Sequence, residues 1–176
     1  MINIKDFCVI SKIKNFEEIK HKILTDLDNR PKHLVRWKNF SYITDFHLAD
    51  RFKNHSYVEN LKESFDVHFE KINKEMNYKV VEIGSIWFQQ YENNHLHSLH
   101  NHSNVTFTNI AYIELSNKSQ GTVINFKDID YQIDCNEGEI VSFPGFFNHR
   151  SSENIFNQRK TVIVVNTLHS GIYNSD

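Results

Sequence analysis

Cysteine is scarce in this chain: there are two, Cys8 and Cys135, far apart and in no metal-type spacing. A disulfide framework is therefore not expected, and a reducing, cytoplasmic setting is. Cys135 reads as a small residue in a turn-rich segment rather than a ligand. Five glycines and two prolines leave no room for a flexible linker, and no internal repeat is visible. No apolar run approaches the roughly 20 residues needed to cross a bilayer. The opening Met1-Ile-Asn-Ile-Lys-Asp-Phe7 lacks the basic segment, apolar core and cleavage site of a signal peptide, so no membrane partner is expected. Basic residues are not in excess either. Lys and Arg number 20 against 22 Asp and Glu, a net charge of −2 with no basic block. That removes the electrostatic reason to expect nucleic acid.

What is present argues for a folded globule. Apolar residues make up 39% and aromatics 13%, with fourteen Phe, in a chain long enough to bury a real core as one domain, residues 1–176. Residues 4–13 (Ile4, Phe7, Val9, Ile10, Ile13) read as a short strand. Asn15 and Glu18 resemble a helix-capping pair, and Phe16, Ile19, Ile23 and Leu27 then recur at helical spacing up to Pro31. Residues 32–52 show no clean period and read as loop with one short strand. From about 55 to 77, Val58, Leu61, Phe65, Phe69, Ile72 and Met76 form one apolar helical stripe, with His68 at its border as a partly buried structural histidine. After residue 79 strand-like segments follow one another: 79–91, 99–103, 105–115, 121–126, 130–134, 138–143 and 160–168. On 105–115, Val105, Phe107, Ala111, Ile113 and Leu115 share one face. The expected architecture is mainly β with N-terminal helices. A helical support region, 1–78, packs on one outer face of a jelly-roll core, 79–168.

The chemistry concentrates in histidine. The chain has eleven, and four of them fall in His95-Leu-His97-Ser-Leu-His100-Asn-His102. Side chains on a strand alternate, so His100 and His102 face the same way and can chelate one metal. His95 and His97 have the opposite parity, which makes His97 a loop, outer-sphere or substrate-facing residue and His95 a bystander. His149 follows Phe143-Pro144-Gly145, where a strand end can aim a third imidazole into a barrel mouth. Three imidazoles suit Fe, Zn, Cu or Ni and leave coordination positions open. Arg159 and Thr161 share a face, and a guanidinium fork beside a hydroxyl suits a carboxylate. Read blandly, the same residues are a solvated histidine loop and a surface Arg-Lys pair opening an edge strand. Tyr112, Phe126, Phe146 and Phe147 are candidate pocket walls.

Trp87-Phe-Gln-Gln-Tyr91, His97-x-x-His100-x-His102, Gly138-Glu-Ile-Val-Ser-Phe-Pro144 with His149, and Arg159-x-Thr161 with Asn166 together resemble a family. It is the 2-oxoglutarate/Fe(II)-dependent oxygenases of the type common in phages and marine bacteria, and the resemblance covers about residues 79–167. It implies a double-stranded β-helix with Fe(II) held by His100, His102 and His149. It further implies that Arg159 with Thr161 binds the far carboxylate of 2-oxoglutarate, with Lys160 the alternative, and that Asn166 and Tyr91 line the site. Gln89 stands where the family has Asn; it, His97, Tyr112 and Lys160 are candidates for an outer shell or for substrate contact. The wider superfamily places Asp or Glu two residues after the first histidine, whereas the next acidic residue after His100 here is Glu114. The implied activity is hydroxylation of a small molecule, peptide or protein side chain. The segment Gly138 to His149 also resembles the second cupin motif. A cupin-type dioxygenase or isomerase working without 2-oxoglutarate is therefore an alternative, as is a non-catalytic jelly-roll binding module.

Overall fold

A computed structural model describes residues 4–31, 35, 41–47 and 55–172. Most of the 32–52 stretch, read above as loop with one strand, lies outside the described residues; its short strand is β2, Ile43–Thr44. The N-terminal segment divides into a 3₁₀ turn, Ile4–Phe7, and strand β1, Val9–Lys12. Helix α1, Phe16–Asp28, starts where expected, but Asn15 is left-handed (φ 50°) and makes no side-chain cap. The 55–77 stripe folds as two helices, α2 (Ser56–Glu59) and α3 (Lys62–Met76). Then come β3 (Tyr78–Tyr91), β4 (His97–His100), β5 (Phe107–Glu114), β6 (Thr122–Phe126), β7 (Ile129–Gln132), β8 (Glu139–Pro144), β9 (Asn148–Ser151) and β10 (Lys160–Ile172). Strand β9 was not foreseen, because Asn148-His-Arg-Ser151 has no apolar alternation. No described helix is long and apolar enough to cross a membrane.

The strands form two antiparallel sheets, a large one in the order β1-β8-β5-β10-β3-β2 and a small one in the order β4-β9-β6-β7. This is the double-stranded β-helix. The central strands of the large sheet are buried on both faces, which is why they read as near-continuous apolar runs. Alternation divides them between two cores. Phe107, Ala111 and Ile113 of β5, Ile163 and Val165 of β10, and Ile86 and Phe88 of β3 pack with Ile23 and Leu27 of α1 and Phe65, Phe69 and Ile72 of α3. Ile110 and Tyr112, Val162 and Val164, and Trp87 and Tyr91 turn the other way and meet Ile124 of the small sheet. Leu115, expected with Phe107, lies past the end of β5 and belongs to the second core. Cys135 is buried there too, and both cysteines are free.

His68 is structural, as its border position predicted. It is fully buried on α3 and bridges Ser11 Oγ of β1 (2.8 Å) and Ser142 Oγ of β8 (2.6 Å), tying helix to sheet.

Candidate metal centre

The site lies between the sheets, on the face of the large sheet away from the helices. Strand β4 ends at His100, so His102 is not on it. The His-x-His pair converges for a different reason from strand parity. After His100 the chain turns over the Pro144-Gly145 corner, where His102 N–H donates to Gly145 O (2.8 Å) and Gly145 N–H to Thr106 O (3.0 Å). A Cβ on Gly145 would stand 2.7 Å from His102 O, Val105 O and Val105 Cγ2. Glycine is needed here for close backbone approach. Pairing with β9 brings His149 opposite His100.

The nitrogens that His100, His102 and His149 can offer a metal all lie within 4.8 Å of one another. The other ring nitrogen of each is engaged. His100 Nδ1–H donates to Ser98 O (2.7 Å) and His149 Nδ1–H to Phe147 O (3.0 Å), which fixes the tautomer with a lone pair on Nε2. His102 Nδ1 is 3.1 Å from Asn166 Nδ2, and Asn166 Oδ1 accepts from Thr108 Oγ1 (3.1 Å). Exchange of the amide nitrogen and oxygen, which the Thr108 hydroxyl can match by accepting instead, would set an acceptor against Nδ1–H and free His102 Nε2 for a metal. Burial pushes the pKa of all three down, to about 4 for His102 and about 3 for His149, so they are neutral and ligand-ready at pH 7. Three imidazoles with open nitrogens on one side fit a divalent transition metal.

His97 stacks on His100 at a ring separation of 3.9 Å. Both of its nitrogens are taken, Nε2 by Tyr42 OH (3.1 Å) and Nδ1 by the Gln89 amide (3.3 Å). Gln89 Oε1 in turn accepts from Tyr91 OH (2.7 Å). His97 thus braces His100 and has no nitrogen left for a metal. His95 sits apart in the turn before β4, its Nδ1 accepting from Glu92 N–H (3.1 Å).

The residues expected to bind a carboxylate are where sequence and structure diverge. Arg159 and Thr161 do not reach this cavity. Arg159 pairs with Glu114 (2.7 Å) and Asp28 (2.6 Å) on the helix side of the sheet, and Thr161 Oγ1 donates to the same Glu114. Lys160 points inward instead. It is 2% exposed and donates to Gln120 O and to Ser151 Oγ (2.9 Å), over the Tyr91 ring at 5.0 Å. Burial lowers its pKa to about 8. No Asp or Glu lines the cavity among the described residues, and the other cation there, Arg150, is held by Asp130 (2.8 and 3.0 Å).

Tyr112 stands behind Lys160, its OH bonded to Thr122 Oγ1 (2.8 Å), and Phe126, Phe146 and Phe147 cluster elsewhere. A cavity of about 260 Å³ adjoins the histidines, bordered by Tyr42, Phe46, Trp87 and Asn101. Tyr42, Ser151 and Gln120 were missed from sequence. Tyr42 lies in the segment without periodicity, and Ser151 in the strand that gave no signal.

No family model matches the chain, and no curated protein matches its sequence. Solved structures of the same fold do. A collagen prolyl hydroxylase of Paramecium Bursaria Chlorella virus-1, solved with 2OG, superposes with a TM-score of 0.63 at 9% identity over 92% of this chain and 95% of that one. A Pseudomonas putida prolyl-4-hydroxylase gives 0.67 at 8% identity over 94% of both. HygX from Streptomyces hygroscopicus, with nickel, 2-oxoglutarate and hygromycin B bound, gives 0.70 at 5% identity over 92% and 82%. The chain therefore has the fold of the 2-oxoglutarate/Fe(II) oxygenases.

Proposed function

We propose that this protein is a 2-oxoglutarate- and Fe(II)-dependent oxygenase that hydroxylates a small molecule, peptide or protein side chain. His100, His102 and His149 hold the iron, and Lys160, in place of Arg159, takes the far carboxylate of 2-oxoglutarate. The observation that carries this reading is the Lys160 ammonium. It is buried, lacks a carboxylate partner among the described residues, and shares a cavity with three open imidazoles. Burying a charge without a counter-ion is costly, so such a group marks the seat of an anion.

When bound, iron and cosubstrate supply the oxidising chemistry: one atom of O₂ converts a substrate C–H to C–OH, the other enters succinate, and CO₂ leaves. The chain's own residues position. The imidazoles offer Nε2 on one side and leave the opposite side open. Lys160 orients the dianion, and Tyr91 and Gln89 close the wall behind it. The space beside Lys160 is about 20 Å³, room for one water. Seating the cosubstrate therefore requires Lys160 to release Gln120 O and Ser151 and the surrounding side chains to part. The outer cavity, with its aromatic border, is the place for substrate.

Anaerobic addition of Fe(II) and then 2-oxoglutarate should produce a visible charge-transfer band. Lys160→Ala should lose it, with 2-oxoglutarate affinity down by about a hundredfold or more, as for a buried charged contact. No band, together with no succinate under air, would overturn the reading. The all-histidine triad favours one second reading, a cupin-type dioxygenase that uses no cosubstrate. It predicts O₂ uptake without succinate.

A further inference from the structure

Charge in the cavity leads further. Every side chain lining it is neutral or positive among the described residues. Arg150 is neutralised from outside by Asp130, which leaves Lys160 as the resident charge. His102 occupies the ligand position that in the wider superfamily is acidic, and its Nδ1 is committed to Asn166. A divalent metal on three neutral imidazoles would therefore bring its whole charge into a buried site that already contains an ammonium. Three positive charges in a largely buried cavity repel. A dianion spanning metal and Lys160 reduces them to one, and no protein group on the cavity wall does so.

We infer that this site takes its metal and a dicarboxylate as a pair, each binding weakly without the other, because the chain supplies no anionic ligand of its own. The inference rests on the metal and dicarboxylate reading above, and it assigns the coupling to two residues. His102 withholds the negative charge that would stabilise metal alone. Lys160 adds a positive charge that opposes metal alone and favours the dianion. Coupling of this kind is reciprocal: whatever factor the dianion adds to metal affinity, the metal adds to dianion affinity.

The test is a calorimetric and visible-absorption titration of the full chain with Co(II), alone and with 2-oxoglutarate. The monoanion 2-oxobutyrate, which chelates equally but lacks the second carboxylate, is the comparison. In the unsubstituted protein 2-oxoglutarate should raise Co(II) affinity by about a hundredfold, near the upper end of ordinary coupling, and 2-oxobutyrate by much less. His102→Asp should bind Co(II) alone more tightly, and the enhancement by 2-oxoglutarate should fall below about tenfold. Lys160→Met, which keeps the volume and removes the charge, should also bind Co(II) alone more tightly, by about tenfold. That second variant keeps the test decisive if His102→Asp does not fold. Co(II) affinity that is unaffected by 2-oxoglutarate, or unchanged or weaker in Lys160→Met, overturns the inference. The two readings fail separately. Paired binding without succinate production sinks the oxygenase reading alone, while succinate production with independent binding sinks the pairing alone.

Discussion

The large sheet buries histidines on both faces, and the two sets differ in one respect. On the helix side, His68 bridges Ser11 and Ser142, and His169 bridges Asn73 Oδ1 (2.7 Å) and Thr167 Oγ1 (3.0 Å). Asn109 links the two bridges, accepting from Ser142 Oγ and donating to Thr167 Oγ1. Every ring nitrogen of His68 and His169 is matched, whereas the buried His55, stacked on Tyr57, leaves Nε2 without a partner and faces no other histidine's open nitrogen among the described residues. On the other face His100, His102 and His149 each have one nitrogen matched and the other left open toward a shared cavity. His100 and His102 are half-buried where His68 and His169 are buried, yet burial lowers the pKa in both sets. What separates scaffold from site is the convergence of unmatched nitrogens on one cavity. His97 sharpens the point, because it lies among the ligands and yet is fully matched, like the scaffold histidines.

The comparison is broken most severely by exchanging roles. His149→Ala should remove metal binding, with Co(II) affinity down by more than about a hundredfold, and leave the thermal midpoint little changed. His68→Ala should do the opposite. It removes a partner from Ser11 Oγ and from the buried Ser142 Oγ and opens a cavity under α3, at a cost of about 2–4 kcal/mol by denaturant titration, while Co(II) still binds. Metal binding lost in His68→Ala at temperatures where it is folded would collapse the distinction.

Acid should act next, on both sets, and the scaffold set lets its effect be followed away from the metal site. Burial holds His68 at about 3 and His169 at about 4, against an ordinary 6.5. Below pH 6.5 the unfolded chain therefore takes up protons that the folded chain refuses, so stability falls as pH drops from 6.5 toward about 4. It is fully present above 6.5. Each such histidine contributes a slope of about 1.4 kcal/mol per pH unit in that window. His169→Asn should flatten the slope measured by urea titration at pH 4.5–6.5, and an unchanged slope would contradict the assignment.

Gly145→Ala should have a smaller effect. The added methyl displaces the backbone that carries His102, so Co(II) affinity should fall about tenfold, as for outer residues that orient metal ligands, with about 1–3 kcal/mol of stability lost to overpacking. Smallest of all is Arg159→Ala. Its ion pairs are partly solvated, and about 1 kcal/mol or less of stability is expected to go. Affinity for 2-oxoglutarate should stay as it was, in contrast to Lys160→Ala; a large loss would return the carboxylate to Arg159.

Much of the fold was legible because its elements are periodic. The stripe from Leu61 to Ile72 and the apolar runs of β3, β5 and β10 state their own structure. Strand β9 did not, since its residues are polar and its place comes from pairing with β4 and β6. The candidate ligands were legible from residue type and proximity in the sequence, although the reason offered for His100 and His102, a shared strand face, was not the one that operates. A turn over Gly145 does that work, and Pro144-Gly145 was the visible trace of it. Tyr42, Gln120 and Ser151 reach the site from three separate segments, so no local pattern points to them.

Residue chemistry, then, was determined by the sequence alone: a histidine cluster with a distant partner, no carboxylate before Glu114, and a cationic pair at the start of the last strand. Which cation faces the site was decided only by the tertiary structure. Side chains on a strand alternate, so a step of one residue moves a group from one face of the sheet to the other. Lys160 shares the parity of Val162 and Val164 and so faces the histidines, whereas Arg159 and Thr161 share that of Ile163 and Val165 and meet Glu114 and the helices. Alternation is written in the chain, but the register that gives each face its neighbours exists only once the strands have paired.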